Sequence, residues 1–145
     1  MVGAVKGKIY CMKKLMLGNE AFARGLYEAG CKVVSSYPGT PSTEITEAVA
    51  KYDEVYAEWA PNEKVAMEVA LGASIGGSKR FCGKKDGGLY FAADPLFNAG
   101  YPGVNTGMVI AVAGDPGLDS SQKEQGARHP SIASKKMMVK PVASV

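Results

Sequence analysis

Between an apolar run and a helical-looking segment the chain reads SSYPGTPSTEI (35–45), with two prolines, a glycine and a cluster of hydroxyl side chains. Pro38 and Pro41 stiffen such a loop, while Gly39 lets main chain approach a ligand closely. Thr40, Ser42 and Thr43 at a helix start offer donors suited to an anionic group such as a carboxylate. The same residues also serve as ordinary helix caps, and the local pattern leaves both readings open. The second candidate is Glu63, at the start of a helical segment just after Pro61-Asn62. A helix N-terminus favours an anionic carboxylate, and partial burial would tune it as a proton donor or acceptor. A plain first-turn glutamate would look the same.

Other chemistries find little support. His129 is the single histidine, in a polar stretch beside Pro130 that reads as a loop, so a Ser-His-Asp arrangement or a histidine-rich metal site is not assembled. Cys11, Cys31 and Cys82 are odd in number, far apart and outside any CxxC spacing, which gives neither an iron–sulfur nor a zinc ligand set and suits a reducing cytoplasm. Gly83, Gly87 and Gly88 form neither GxxxxGK[ST] nor a clean GxGxxG. The formal charge of +3 is mild, and its lysines, Lys79, Lys84 and Lys85 among them, are scattered and read as solvated surface. No basic stripe for nucleic acid is present, and no apolar run approaches the roughly 18–20 residues of a membrane span. The opening residues lack the pattern of a secretory leader. Met12 suits a second start, with residues 1–11 a poorly ordered extension and residues 12–145 the domain.

The elements that must position these residues alternate regularly. A helix is predicted over 18–30, capped by Asn19 and stopped by Gly30, with Phe22 and Leu26 on one face. A strand over 31–37 leads into the proline loop, and a helix from Ser42 or Thr43 to about Lys51 follows. Next come a strand over 53–59 and a helix opened by Pro61-Asn62, with Val65, Ala66, Val69, Ala70 and Ala73 buried and Gly76-Gly77 at its end. Then follow a short strand around Arg80–Cys82, a Gly/Lys/Asp loop, a helix near 89–99 broken by Pro95, and the strand GMVIAVAG (107–114). KKMMVKPVASV at the end reads as one more strand. The alternation implies an α/β domain, a three-layer parallel sheet with helices on both faces. Ligands in such sheets sit at the carboxyl ends of strands. YPGTPST, WAPNE and GDPGLDSSQ are therefore expected on one rim.

From about residue 12 to 130 the words YPGTPSTEI, EWAPNEKVA, AADPLF and SSQKEQ closely resemble the start of the α subunit of indolepyruvate:ferredoxin oxidoreductase. That family belongs to the thiamine-diphosphate 2-oxoacid oxidoreductases. The resemblance implies a pyrimidine-binding domain of the thiamine-enzyme type. It implies that Glu63 is the glutamate that hydrogen-bonds N1′ of the aminopyrimidine, and that Thr40 faces substrate carboxylate and cofactor ring. Tyr37, Pro38 and Gly39 would shape the pocket, and Asp86, Tyr90, Gln122 and Arg128 would belong to loops on the cleft side. Thiamine diphosphate with Mg2+ is the implied cofactor, shared with a diphosphate-binding domain or subunit. No protein metal ligand is assigned here, and the iron–sulfur clusters belong to other modules.

Departures accompany the likeness. Relatives tend to read MKHVGLNVAADP where this chain has KKDGGLYFAADP, so Asp86 replaces a histidine and Tyr90 an asparagine. Lys123, Gly126 and Ala127 stand where asparagine, aspartate and serine are usual. These 145 residues contain no GDG…N diphosphate–magnesium motif and no cysteine-rich ferredoxin-like module. Three readings follow: a fragment of the α subunit, a small chain of a split thiamine-dependent decarboxylase, or a non-catalytic orphan that keeps the fold to bind a partner. An exposed cleft face also implies a homo-oligomer.

Overall fold

The computed structural model describes residues 2–5, 8–11, 13–101, 103–114, 117 and 126–140. β1 (Val2–Val5) and β2 (Lys8–Cys11) pair antiparallel as a hairpin. The rest is built from α1 (Gly18–Glu28), β3 (Val33–Ser36), α2 (Thr43–Val49), β4 (Tyr56–Trp59), α3 (Glu63–Ile75), β5 (Arg80–Lys85), α4 (Asp86–Phe91), α5 (Ala93–Asn98), β6 (Met108–Ala113) and α6 (Arg128–Ala133). The four later strands form a parallel sheet in the order β4-β3-β5-β6.

Alternation along β5 divides the core. Phe81 packs with Ala23, Leu26, Val34, Ile45 and Val49 from α1, β3 and α2. Cys82 points the other way, into Ala66, Met67, Ala70, Leu89 and Leu96 of α3, α4 and α5. The expected three-layer α/β architecture is what the chain adopts, because a central strand buried on both faces needs an apolar layer on each side. Cys31 and Cys82 are buried in opposite layers, with free thiols.

Several local expectations change. Asn19 does not cap α1, which starts after Leu17. Instead its amide donates to Pro41 O (3.2 Å) and Glu44 Oε2 (2.7 Å), tying α1 to the start of α2. Gly30 ends α1 as expected, at φ +78°. β5 does not stop at Cys82 and no Gly/Lys/Asp loop follows it. β5 pairs with β6 from Arg80↔Met108 to Lys85↔Ala113, and α4 begins at the next residue. The helical stretch breaks at Ala92, and Pro95 falls in the first turn of α5, where a missing N–H leaves nothing unpaired. Residues 136–140 are not a strand. Lys136 to Val139 border a hollow of about 300 Å³ beside Met108, Ile110 and Val112 instead of pairing with β6. The last residues of that stretch lie outside the described ones.

Gly83 makes the centre of the sheet a test of packing. A Cβ there would stand 2.9 Å from Phe81 Cε1 and 3.1 Å from Ser36 Oγ, both fully enclosed. Gly83→Ala is expected to cost about 1–3 kcal/mol through overpacking. Urea unfolding should show a lower midpoint at unchanged m-value; an unmoved midpoint would contradict this.

Candidate functional site

All four parallel strands end on one edge, and the strand order reverses beside β3. The chain runs from β3 to β4 on one side, then crosses back to β5 on the other. Crevices at such reversal points are where open α/β sheets bind ligands. The register marks this reversal point. β3 pairs with β5 only through Val33↔Arg80 and Val34↔Phe81, whereas β3–β4 pairing continues to Ser36↔Trp59. Past Val34 the two strands part, and Ser36 Oγ fills the gap. It accepts from Gly83 N (3.1 Å) and from Thr46 Oγ1 (2.8 Å), so no buried donor is stranded where the ladder stops.

The proline loop folds over this opening. Gly39 lies against β5, since a Cβ on it would be 3.1 Å from Lys85 Cβ. Its N–H donates to Thr43 Oγ1 (2.8 Å), and its carbonyl accepts from Ser42 Oγ (2.8 Å) and from the Ser42 and Thr43 amides. The Thr40–Pro41 peptide is cis. Of the three hydroxyls expected to greet an anion, Ser42 is buried and it and Thr43 are both spent on the loop itself. Thr40 is exposed and has no hydrogen-bond partner among the described residues, as are Tyr37 and Pro38 at the rim. The turn is thus braced by its own hydroxyls, neither of which caps α2, and it presents one hydroxyl, that of Thr40, without a partner among the described residues.

Glu63 opens α3, whose cap is Asn62. The Asn62 side chain accepts from Val65 N at 2.9 Å. Glu63 is half-buried, and its carboxylate has no hydrogen bond or ion pair among the described residues. The side chain lies on Gly88: a Cβ at 88 would be 2.8 Å from both Glu63 Cγ and Oε1. Asp86, buried at the first position of α4 instead of in a loop, accepts from Gly87 N at 2.7 Å. It sits between Lys85, which Gly39 touches, and Gly88, which Glu63 touches. Gly39 and Glu63 thus pack on the end of β5 and the start of α4, on either side of Asp86 in the chain.

Tyr90 and Arg128 are not drawn in with them. Tyr90 is exposed on α4 and borders a separate apolar hollow with Leu89, Phe97, His129 and Pro130. Arg128 is exposed at the start of α6. Gln122, Lys123 and most of GDPGLDSSQ lie outside the described residues. His129 is on α6 and not in a loop, because Pro130 falls in the first turn, where proline is tolerated.

Lys84 was not visible as part of this site. Far from solvated, it is 0% exposed, and its Nζ donates to the Glu63 main-chain carbonyl at 3.2 Å. Burial pushes its pKa below the usual lysine range. The signal that could have found it is alternation: once β5 continues to Lys85, position 84 falls on the same face as Cys82.

Residues 24–114 match the family model described as pyruvate flavodoxin/ferredoxin oxidoreductase, thiamine diphosphate-binding. Indolepyruvate oxidoreductase subunit IorA of Archaeoglobus fulgidus is 45% identical over 137 residues, covering 89% of this chain and 22% of that protein. The same subunit from Thermococcus kodakarensis is 49% identical over 117 residues, covering 79% of this chain and 18% of that protein. Among solved structures, a 2-oxoglutarate:ferredoxin oxidoreductase from Magnetococcus marinus, with 2-oxoglutarate, coenzyme A and succinyl-CoA bound, superposes with a TM-score of 0.63 at 29% identity. It covers 70% of this chain and 18% of that one. The chain spans about a fifth of the length of the curated relatives it matches. By the family-model match over residues 24–114, the chain belongs to the thiamine-diphosphate-binding family of pyruvate flavodoxin/ferredoxin oxidoreductases.

Proposed function

We propose that residues 12–145 are the pyrimidine-binding half-site of a thiamine-diphosphate-dependent 2-oxoacid:ferredoxin oxidoreductase. Its substrates are aryl 2-oxoacids of the indolepyruvate kind, decarboxylated oxidatively to acyl-CoA. The observation that carries this reading is Glu63: a half-buried carboxylate at a capped helix start, unpaired among the described residues and seated on a glycine. Such a group fits the ring nitrogen of an aminopyrimidine, which it would hydrogen-bond. Thiamine diphosphate, when bound, supplies the carbanion chemistry at its C2. Glu63 would hold or release a proton at N1′, Thr40 Oγ1 would face the substrate carboxylate, and Tyr37, Pro38 and Gly39 would wall the crevice and limit water. Mg2+ and the diphosphate would be held by a diphosphate-binding domain or subunit, and electrons would leave through iron–sulfur clusters on other modules.

The rim supports such a partner. Tyr37, Trp59, Tyr90 and Phe91 are all exposed large side chains on α4 or at the carboxyl ends of β3 and β4. Exposed apolar surface of this sort marks association. In its absence the chain is expected to self-associate into a homo-oligomer, and gel filtration at high concentration should elute ahead of a 15.2 kDa monomer. No helix among the described residues is long and apolar enough to cross a membrane. We place the assembled enzyme in the cytoplasm, where its free thiols stay reduced.

Calorimetry with thiamine diphosphate–magnesium tests the half-site. Heat of binding is expected only after the chain is mixed with a diphosphate-binding subunit from the same source, because neither half alone encloses the cofactor. No binding in the mixture would reject the function and leave the partner-binding orphan, the reading favoured by Asp86, Tyr90 and Lys123 where relatives carry histidine, asparagine and asparagine.

A further inference from the structure

Lys84 has no task in the function proposed above, yet it is among the most enclosed side chains of the protein. An ammonium taken out of water needs acceptors and a counter-charge, or it drifts toward the neutral amine. Among the described residues no carboxylate lies within ion-pair distance of Lys84, and the acceptor it reaches is the Glu63 carbonyl at 3.2 Å. The ionisable groups it senses are Cys82, two residues back on the same face of β5, and Glu63 on α3. Burial pushes the Cys82 thiol up, so it stays uncharged at neutral pH. From β6 the residue paired with Lys84 is Val112, and Asp86 on α4 has Oδ1 on the Gly87 amide. With Cys82 held as the thiol, the carboxylate left to act on Lys84 is Glu63, whose main chain it already holds.

We propose that Lys84 is a positioning residue for Glu63, gripping the first turn of α3 by the Glu63 carbonyl and facing the Glu63 carboxylate as its counter-charge across the closed floor of the crevice. The inference rests on the role given to Glu63 above. It explains why a lysine, costly to enclose, occupies a strand position between two apolar layers. One contact fixes the main chain of the glutamate; the other sets a positive charge within electrostatic reach of its carboxylate.

The full chain without cofactor tests this by NMR. Lysine Cε signals, with Lys84 assigned from its loss in Lys84→Arg, are followed against pH in the wild type and in Glu63→Gln. Lys84 is expected to titrate below the ordinary lysine range, and lower still in Glu63→Gln, where the anion favouring its charged form is gone. An identical midpoint in both proteins overturns the charge coupling. Amide exchange reads the grip. Lys84→Met should speed exchange at Val65 and Ala66 by roughly tenfold, and Lys84→Arg should restore most of the protection. Unchanged exchange in Lys84→Met removes the grip, and should that variant not fold, the titration pair decides alone. Loss of coupling with thiamine binding intact rejects only Lys84, whereas intact coupling without thiamine binding rejects the function instead.

Discussion

Replacing Glu63 by glutamine is expected to slow proton exchange at C2 of thiamine diphosphate by about 10²–10⁴-fold in the assembled complex, the usual weight of a positioned acid–base group. The physical reason is narrow. Glutamine has the same length and can still accept or donate one hydrogen bond, but it cannot exchange a proton with a ring nitrogen. The cap of α3 is unaffected, because Asn62, not Glu63, accepts from Val65 N. The Glu63 carboxylate makes no hydrogen bond or ion pair among the described residues, and the Lys84 contact is to its main-chain carbonyl, so the loss of stability should be confined to what enclosed Lys84 loses when its counter-charge goes. Exchange measured by deuterium loss from C2, alongside urea unfolding, separates the two effects. Full exchange in a well-folded Glu63→Gln complex would remove the glutamate from the mechanism; a collapsed fold would show that its carboxylate is structural.

What the sequence made legible follows from periodicity and capping. Asn62 and Gly30 bracketed their helices as expected, because a side-chain acceptor at the start and a left-handed residue at the end are local devices. The parallel sheet followed from the alternation of elements. Glu63 and the proline loop were both found at the strand ends, where topology alone puts strand-to-helix junctions. The misreadings share one cause, the neighbour that local pattern cannot name. Asn19 resembled a cap, but Pro41 and Glu44 lie within reach across the helix pair and claim its amide. KKDGG looked like a loop because glycines and charges usually are. It is instead the end of β5 and the start of α4, since β6 pairs with β5 through Lys85 and Gly83 is where Ser36 and Phe81 crowd in. Lys84 was hidden by the same error: in a loop it would be solvated, in a continued strand it must point into a layer. Ser42 and Thr43 illustrate the reverse limit. Their types suggested donors for a ligand, and only the turn geometry revealed that Gly39 uses both.

Gly88→Ala should separate the fold from the chemistry more cleanly than any change to Glu63 itself. Gly88 is inside α4, without the positive φ that would require glycine, and alanine is a better helix former by about 1 kcal/mol. The added methyl would meet Glu63 Cγ and Oε1 at 2.8 Å, so the whole half-buried side chain must turn about χ1 to clear it. Global stability is thus expected to hold or rise, while the carboxylate is pushed off its seat. Displacements of about 1 Å in a catalytic group cost on the order of 10²-fold in rate, so C2 exchange in the assembled complex should fall by roughly that factor. The control is the double variant. If Gly88 acts only by seating the carboxylate, adding Gly88→Ala to Glu63→Gln should change exchange little further, because the proton route is already gone. Multiplying losses in the double variant would instead mean that Gly88 lines the cofactor's own path. A Gly88→Ala chain that is both stable and fully active would mean that Glu63 finds its productive geometry without the glycine.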